Sequence, residues 1–131
     1  MYKLALFQSL PLIGQPSALT RGFTGQGARV AVVDTRIDHR WRDPDGLFAF
    51  GAGCASGVGS PDCAIVASYD AAGGEPEDPS HGTNVAGISW QVAPQSGIVG
   101  VDVFRQVDGS ALAFSPDIIA GLNWVLNNWR Q

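Results

Sequence analysis

The chain has 131 residues, 45% of them hydrophobic and 15% charged, which suits one domain with a modest core and is too apolar for a disordered segment. Its formal net charge of −4 and the scatter of its eight Lys and Arg exclude a nucleic-acid or anionic-membrane partner. No apolar run approaches the roughly 18 residues of a membrane span.

The opening Met1-Tyr2-Lys3-Leu4-Ala5-Leu6-Phe7 resembles a signal peptide only briefly, because Gln8 and Pro11 interrupt it and no cleavage site follows. Residues 1–15 read as a lead-in, followed by a short helical patch around Ala18-Leu19-Thr20-Arg21 and a glycine-rich turn, Gly22 to Gly27. A phosphate-cradling loop follows a strand and opens a helix. These glycines precede the strand, so the order excludes a Rossmann site.

Ala28-Arg29-Val30-Ala31-Val32-Val33 is a short apolar run rich in β-branched residues, the pattern of a parallel strand buried on both faces. It ends in Asp34, at the rim where open α/β sheets keep their functional groups. A buried carboxylate there needs a partner; read alone, it is equally a cap or turn former. Asp38 suits the turn better, since its side chain can close Thr35-Arg36-Ile37-Asp38-His39.

Residues 40 to 64 read as loop. Asp43 and Asp45 are a weak calcium candidate, because the spaced oxygen set of a recognisable calcium loop is absent. Cys54 and Cys63 bracket a Gly- and Ser-rich stretch that folds back readily, so a disulfide closing a surface excursion is the preferred reading and implies an oxidising compartment. Two free thiols and half of a metal site are the alternatives; no second Cys or His pair supports the latter.

Ile65-Val66-Ala67-Ser68-Tyr69-Asp70 reads as a second strand. The polar approach Glu75-Pro76-Glu77-Asp78-Pro79-Ser80 then stops at His81, and Gly82-Thr83-Asn84-Val85-Ala86-Gly87-Ile88 is compatible with a helix, with Val85 and Ile88 on one face. His81 therefore sits at a helix N-terminus, where Gly82, Ala86 and Gly87 let the helix approach another backbone. A lone histidine here otherwise simply lines a loop. Val92-Ala93-Pro94 ends the helix, and Gly97 to Phe104 reads as a third strand, giving a parallel crossover. The last helix starts with Ser115 as cap, Pro116 in the first turn and Asp117 toward the dipole, and Ile118, Ile119, Leu122, Val125 and Leu126 form its apolar face. Trp124 and Trp129 suit packing better than ligand stacking.

Taken together, Val30 to Asp38, His81-Gly82-Thr83-Asn84-Val85-Ala86-Gly87 and Val92-Ala93-Pro94 resemble the subtilisin-like serine proteases, in which acid, histidine and serine come in that order. The resemblance covers nearly the whole chain from Leu10 onward. Leu12-Ile13-Gly14-Gln15 and the cysteine loop look like a secreted bacterial branch. It implies an α/β, three-layer fold, a mostly parallel sheet with helices on both faces, of which residues 16–131 are the N-terminal portion of the catalytic domain, so that the sheet is incomplete.

The activity implied is endopeptidase cleavage of a polypeptide substrate without a cofactor. Asp34 would orient His81 as the general base, and Gly109-Ser110-Ala111 would pair with the extended substrate. A plain Asp108-Gly109 turn is an equal reading of that last segment. Two positions depart from the family: Arg36 stands where Gly is usual, straining the turn if that position needs positive φ, and Asn84 replaces a frequent second His. No oxyanion asparagine and no Gly-Thr-Ser-Met-Ala-type nucleophile block occurs, and none of the serines has such a context. The expectation is an inactive isolated chain, the front of a longer or truncated enzyme or one half of a split one. The alternative is a non-catalytic binding module.

Overall fold

The computed structural model describes residues 8–74 and 76–128. The signal-like opening and Trp129 lie outside them. The elements in order are helix α1 (Gln15–Thr20), strands β1 (Arg29–Asp34) and β2 (Ile65–Asp70), helix α2 (Ser80–Val92), strands β3 (Gly97–Asp102), β4 (Phe104–Val107) and β5 (Ser110–Ala113), and helix α3 (Ser115–Asn128). The fold is mixed α/β, as the alternation of apolar runs and amphipathic segments predicts.

The main sheet has the order β1-β3-β2, all parallel. Side chains of β3 alternate between its faces. Ile98 joins a core with Val32, Ile37, Phe50, Cys54, Cys63, Ile65 and Ala86 of α2. On the other face Val101 and Val103 lie within 3 Å of the point where a Cβ on Gly121 of α3 would begin. One helix therefore covers each face.

Burial on both faces holds for β3 but not for β1. Val30 is 37% exposed and Ala31 is also exposed, leaving Val32 as the buried residue of the strand. The reason is position: among the described residues β1 has a hydrogen-bonded neighbour on one side only. The third strand is also shorter than its apolar run suggests. The Asp102 carboxylate accepts the Phe104 amide hydrogen at 3.1 Å, and the chain turns into a β4–β5 hairpin.

The apolar face of α3 is narrower than its periodicity implies. Ile119, Leu122 and Leu126 are 58%, 48% and 67% exposed, while Asp117 and Gly121 are buried. Asp117 pairs with Arg105 of β4, and Trp124 stacks on Tyr69 with ring centroids 4.9 Å apart. Helix α3 begins at Ser115, and the Phe114 carbonyl accepts from both Asp117 and Ile118, so Phe114 occupies the position expected of Ser115. On α2, Ala86 is fully buried, whereas Ile88 is 39% exposed and a Cβ added at Gly87 would meet nothing within 4 Å.

Between β1 and β2 the chain makes its excursion, closed by a Cys54–Cys63 disulfide with the Cα atoms 4.7 Å apart. Gly53 makes this possible, because a Cβ there would fall 1.7 Å from the Pro61 carbonyl oxygen. Both sulfurs enter the same core as Ile65 and Ile98. No helix among the described residues is long and apolar enough to cross a membrane.

Candidate active site

A strand ending in a carboxylate and a helix starting with an imidazole converge only if the segments around them are tied together. Three hydrogen bonds tie them. The Gly82 amide, one of the first-turn donors that lack a partner within the helix, donates to Thr35 Oγ1 at 2.8 Å. In the reverse direction the Asp38 amide donates to Thr83 Oγ1, also at 2.8 Å. The Arg36 amide donates to Glu77 Oε1 at 2.9 Å. All three acceptors are on buried residues, where exchange with water is cut off.

So held, Asp34 Oδ1 lies 2.7 Å from His81 Nδ1. An ionised carboxylate only accepts, so the shared proton belongs to Nδ1, and in the neutral ring the lone pair is left on Nε2. The Thr35 amide also donates to the same Asp34 Oδ1 at 2.7 Å, which adds a second hold on that oxygen. Asp34 keeps 17% of its side-chain surface and His81 keeps 72%. The acid is sheltered and the base faces solvent. This is an orienting carboxylate behind an imidazole whose free nitrogen can take a proton.

Arg36 does not strain this turn. Among the described non-glycine residues positive φ falls at Asp62 and Asp108, and Arg36 is free of it. Instead Arg36 joins the ties, its Nη2 donating to the Glu77 carbonyl at 3.4 Å in addition to the amide bond above. Asp38 forms the expected turn, with Oδ1 accepting the Arg40 amide at 2.9 Å. Asp43 is likewise a turn former, accepting from the amides of Asp45 at 2.9 Å and Leu47 at 3.0 Å. Among the described residues no three His, Cys, Asp or Glu side chains gather as metal ligands.

The segment expected to pair with substrate, Gly109-Ser110-Ala111, forms the turn and the start of the second strand of the hairpin. Asp108 and Gly109 form its turn with φ of 48° and 80°, the left-handed pair that a two-residue connection requires. Ser110 and Ala111 of β5 pair with Val107 and Gln106 of β4, and both are exposed. An Asp-Gly turn is therefore present at Asp108-Gly109, and β5 is paired on one side only among the described residues.

Glu77, Thr35, Thr83 and Asp102 carry structural duties that the sequence did not reveal. Asp102 sits opposite Asp34 and Asp70 in register, at the end of the central strand. It lines a cavity of about 110 Å³ together with Arg36, Asp70 and Glu77. Burial raises its carboxyl to about 6, with the negative charges of Glu77 and Asp70 adding to the rise and the Phe104 amide and Arg36 opposing it. A visible signal existed: an acidic residue inside the apolar run Gly97 to Phe104. No family model matches the chain.

Proposed function

We propose that this chain is the acid-and-base portion of a subtilisin-like serine endopeptidase, with Asp34 orienting His81 and His81 Nε2 taking the proton from a serine hydroxyl that attacks a peptide carbonyl. The observation that carries this reading is the 2.7 Å bond between Asp34 and Nδ1 of a histidine whose ring is otherwise open to solvent. A carboxylate that fixes the tautomer and a bare Nε2 are what general-base activation of a hydroxyl needs.

The serine is assigned to another stretch of polypeptide, because none of the serines in this sequence stands in a Gly-Thr-Ser-Met-Ala-type context. Docking of such a complement is supported by the exposed Ile119, Leu122 and Leu126 on α3 and by the one-sided pairing of β1. The disulfide supports action outside the reducing cytosol. The rival reading, a non-catalytic binding module, would be favoured by Arg36 displacing Asp34 from His81, and the 2.7 Å bond speaks against that displacement.

The test uses a fluorogenic peptide and a serine-directed fluorophosphonate probe. The isolated chain is expected to give neither turnover nor labelling, and its mixture with a polypeptide carrying the nucleophile block to give both. Labelling of the isolated chain that disappears in His81→Ala would overturn its assigned inactivity. A mixture in which activity is indifferent to His81→Ala would overturn the protease reading.

A further inference from the structure

The structure contains a carboxylate that stability alone does not explain. Glu77 is 3% exposed, and its Oε2 is buried without a hydrogen-bond partner among the described residues. It also shares the cavity with two further carboxylates, Asp70 and Asp102, while Arg36 is the one cationic side chain in the lining. Burying a charge with one oxygen unsatisfied and like charges nearby is unfavourable, and a neutral acceptor of the same length would reach the same amide at less cost. The return on Glu77 is therefore sought in what its satisfied oxygen holds.

Oε1 accepts the amide of Arg36, two residues beyond Asp34, while Glu77 itself stands four residues before His81. Its carbonyl also receives the Arg36 guanidinium. The peptide plane fixed by Oε1 adjoins the one whose amide, from Thr35, donates to Asp34 Oδ1. The chain of contacts thus runs from Glu77 through two consecutive peptide planes to the carboxylate that bonds His81.

We propose that Glu77 is a positioning residue for the Asp34–His81 pair: through the Arg36 amide it sets the turn that aims the Asp34 carboxylate at Nδ1. It touches neither the imidazole nor the substrate's reacting atoms. The geometric claim stands on the structure alone; only its consequence for rate rests on the endopeptidase reading.

The experiment reads the His81 tautomer in the full 131-residue chain by the ring ¹⁵N shifts at alkaline pH, with His39→Gln used to assign the two histidines. Thermal melting of each variant confirms that spectra are taken on folded protein. Glu77→Gln preserves the reach and the acceptor and is expected to retain the Nδ1–H tautomer. Glu77→Asp preserves the charge but draws the acceptor back by one methylene, and its ring shifts are expected to move toward an average of the two tautomers.

Two results overturn the proposal. One is folded Glu77→Asp with wild-type ring shifts, whatever its melting temperature, since a merely structural role lowers stability without moving the tautomer. The other is folded Glu77→Gln that loses the tautomer, since the charge and not the acceptor would then be what matters. Neither readout requires turnover, so failure here is separable from failure of the protease reading.

Discussion

The carbonyl oxygen of Thr35 lies 2.0 Å from the point at which a side chain on Gly82 would begin. The turn after Asp34 and the first turn of α2 are thus in backbone contact, and the acid and base meet because nothing larger than hydrogen separates them. Gly82 has ordinary helical geometry, so the requirement is one of space rather than of left-handed conformation.

Gly82→Ala is accordingly expected to destabilise the chain by about 3 kcal/mol, because the obstacle is rigid backbone and the Thr35 Oγ1 bond must open as the helix retreats. Chemical denaturation measures the loss. The ring ¹⁵N shifts of His81 should move in the same variant, since the retreat carries Nδ1 away from Asp34.

Asp34→Asn leaves the shape of the pair intact but removes the ionised acceptor that holds the proton on Nδ1. In the proposed mixture with a polypeptide carrying the nucleophile, kcat is expected to fall on the order of 10⁴-fold, as when the carboxylate of a Ser-His-Asp triad is neutralised. Active-site titration with the fluorophosphonate, run alongside the peptide assay, distinguishes slower chemistry from a smaller active fraction.

The Asp102 carboxyl titrates at about 6 in the folded chain against an ordinary 3.8. The folded state therefore holds that proton more tightly than the unfolded state does. Its charged form is a cost at pH above about 6, and the cost is relieved as pH falls from about 6 toward about 4. Asp102→Asn is expected to raise stability near neutral pH by about 1 to 2 kcal/mol once solvent screening is allowed for, with the advantage vanishing toward pH 4. Paired melting curves of wild type and variant across that range check it, because the difference isolates this group from the other carboxylates.

Replacing Cys54 and Cys63 by Ala frees a short loop in the unfolded chain and opens space in a core where Cys54 is fully buried. Loop-closure entropy alone gives a loss of about 2.5 kcal/mol, or roughly 10 °C in melting temperature. The dyad lies on other segments, so the His81 ring shifts of the double variant are expected to stay as in wild type below its melting point.

What could be read in advance was what local pattern dictates. The β-branched run fixes β1 and its terminal Asp34, the small residues after His81 fix α2, and the order strand, helix, strand fixes the parallel crossover between β2 and β3. The Cys54–Cys63 pairing was also legible as the preferred reading, because the Gly- and Ser-rich stretch between them folds back readily. The rest depended on neighbours distant in the chain. Asp102 looks like any strand-terminal aspartate until the sheet order sets it between Asp34 and Asp70. Glu77 looks like part of a solvated acidic turn until Arg36 folds beneath it. The apolar row of α3 predicted burial of Ile119, Leu122 and Leu126, but periodicity names a face without naming what covers it.

The order β1-β3-β2 has a kinetic corollary. The middle strand is the last of the three to leave the ribosome, so among the described residues β1 and β2 have no strand to pair with until residues 97–102 emerge. Such nonlocal pairing is slow to nucleate, because a long loop must close before any ladder forms. The segments that carry Asp34 and His81 are tied to each other directly, yet the strand that ends in Asp34 gains its ladder only when β3 joins, so the Asp34–His81 pair is set on a finished sheet late in folding.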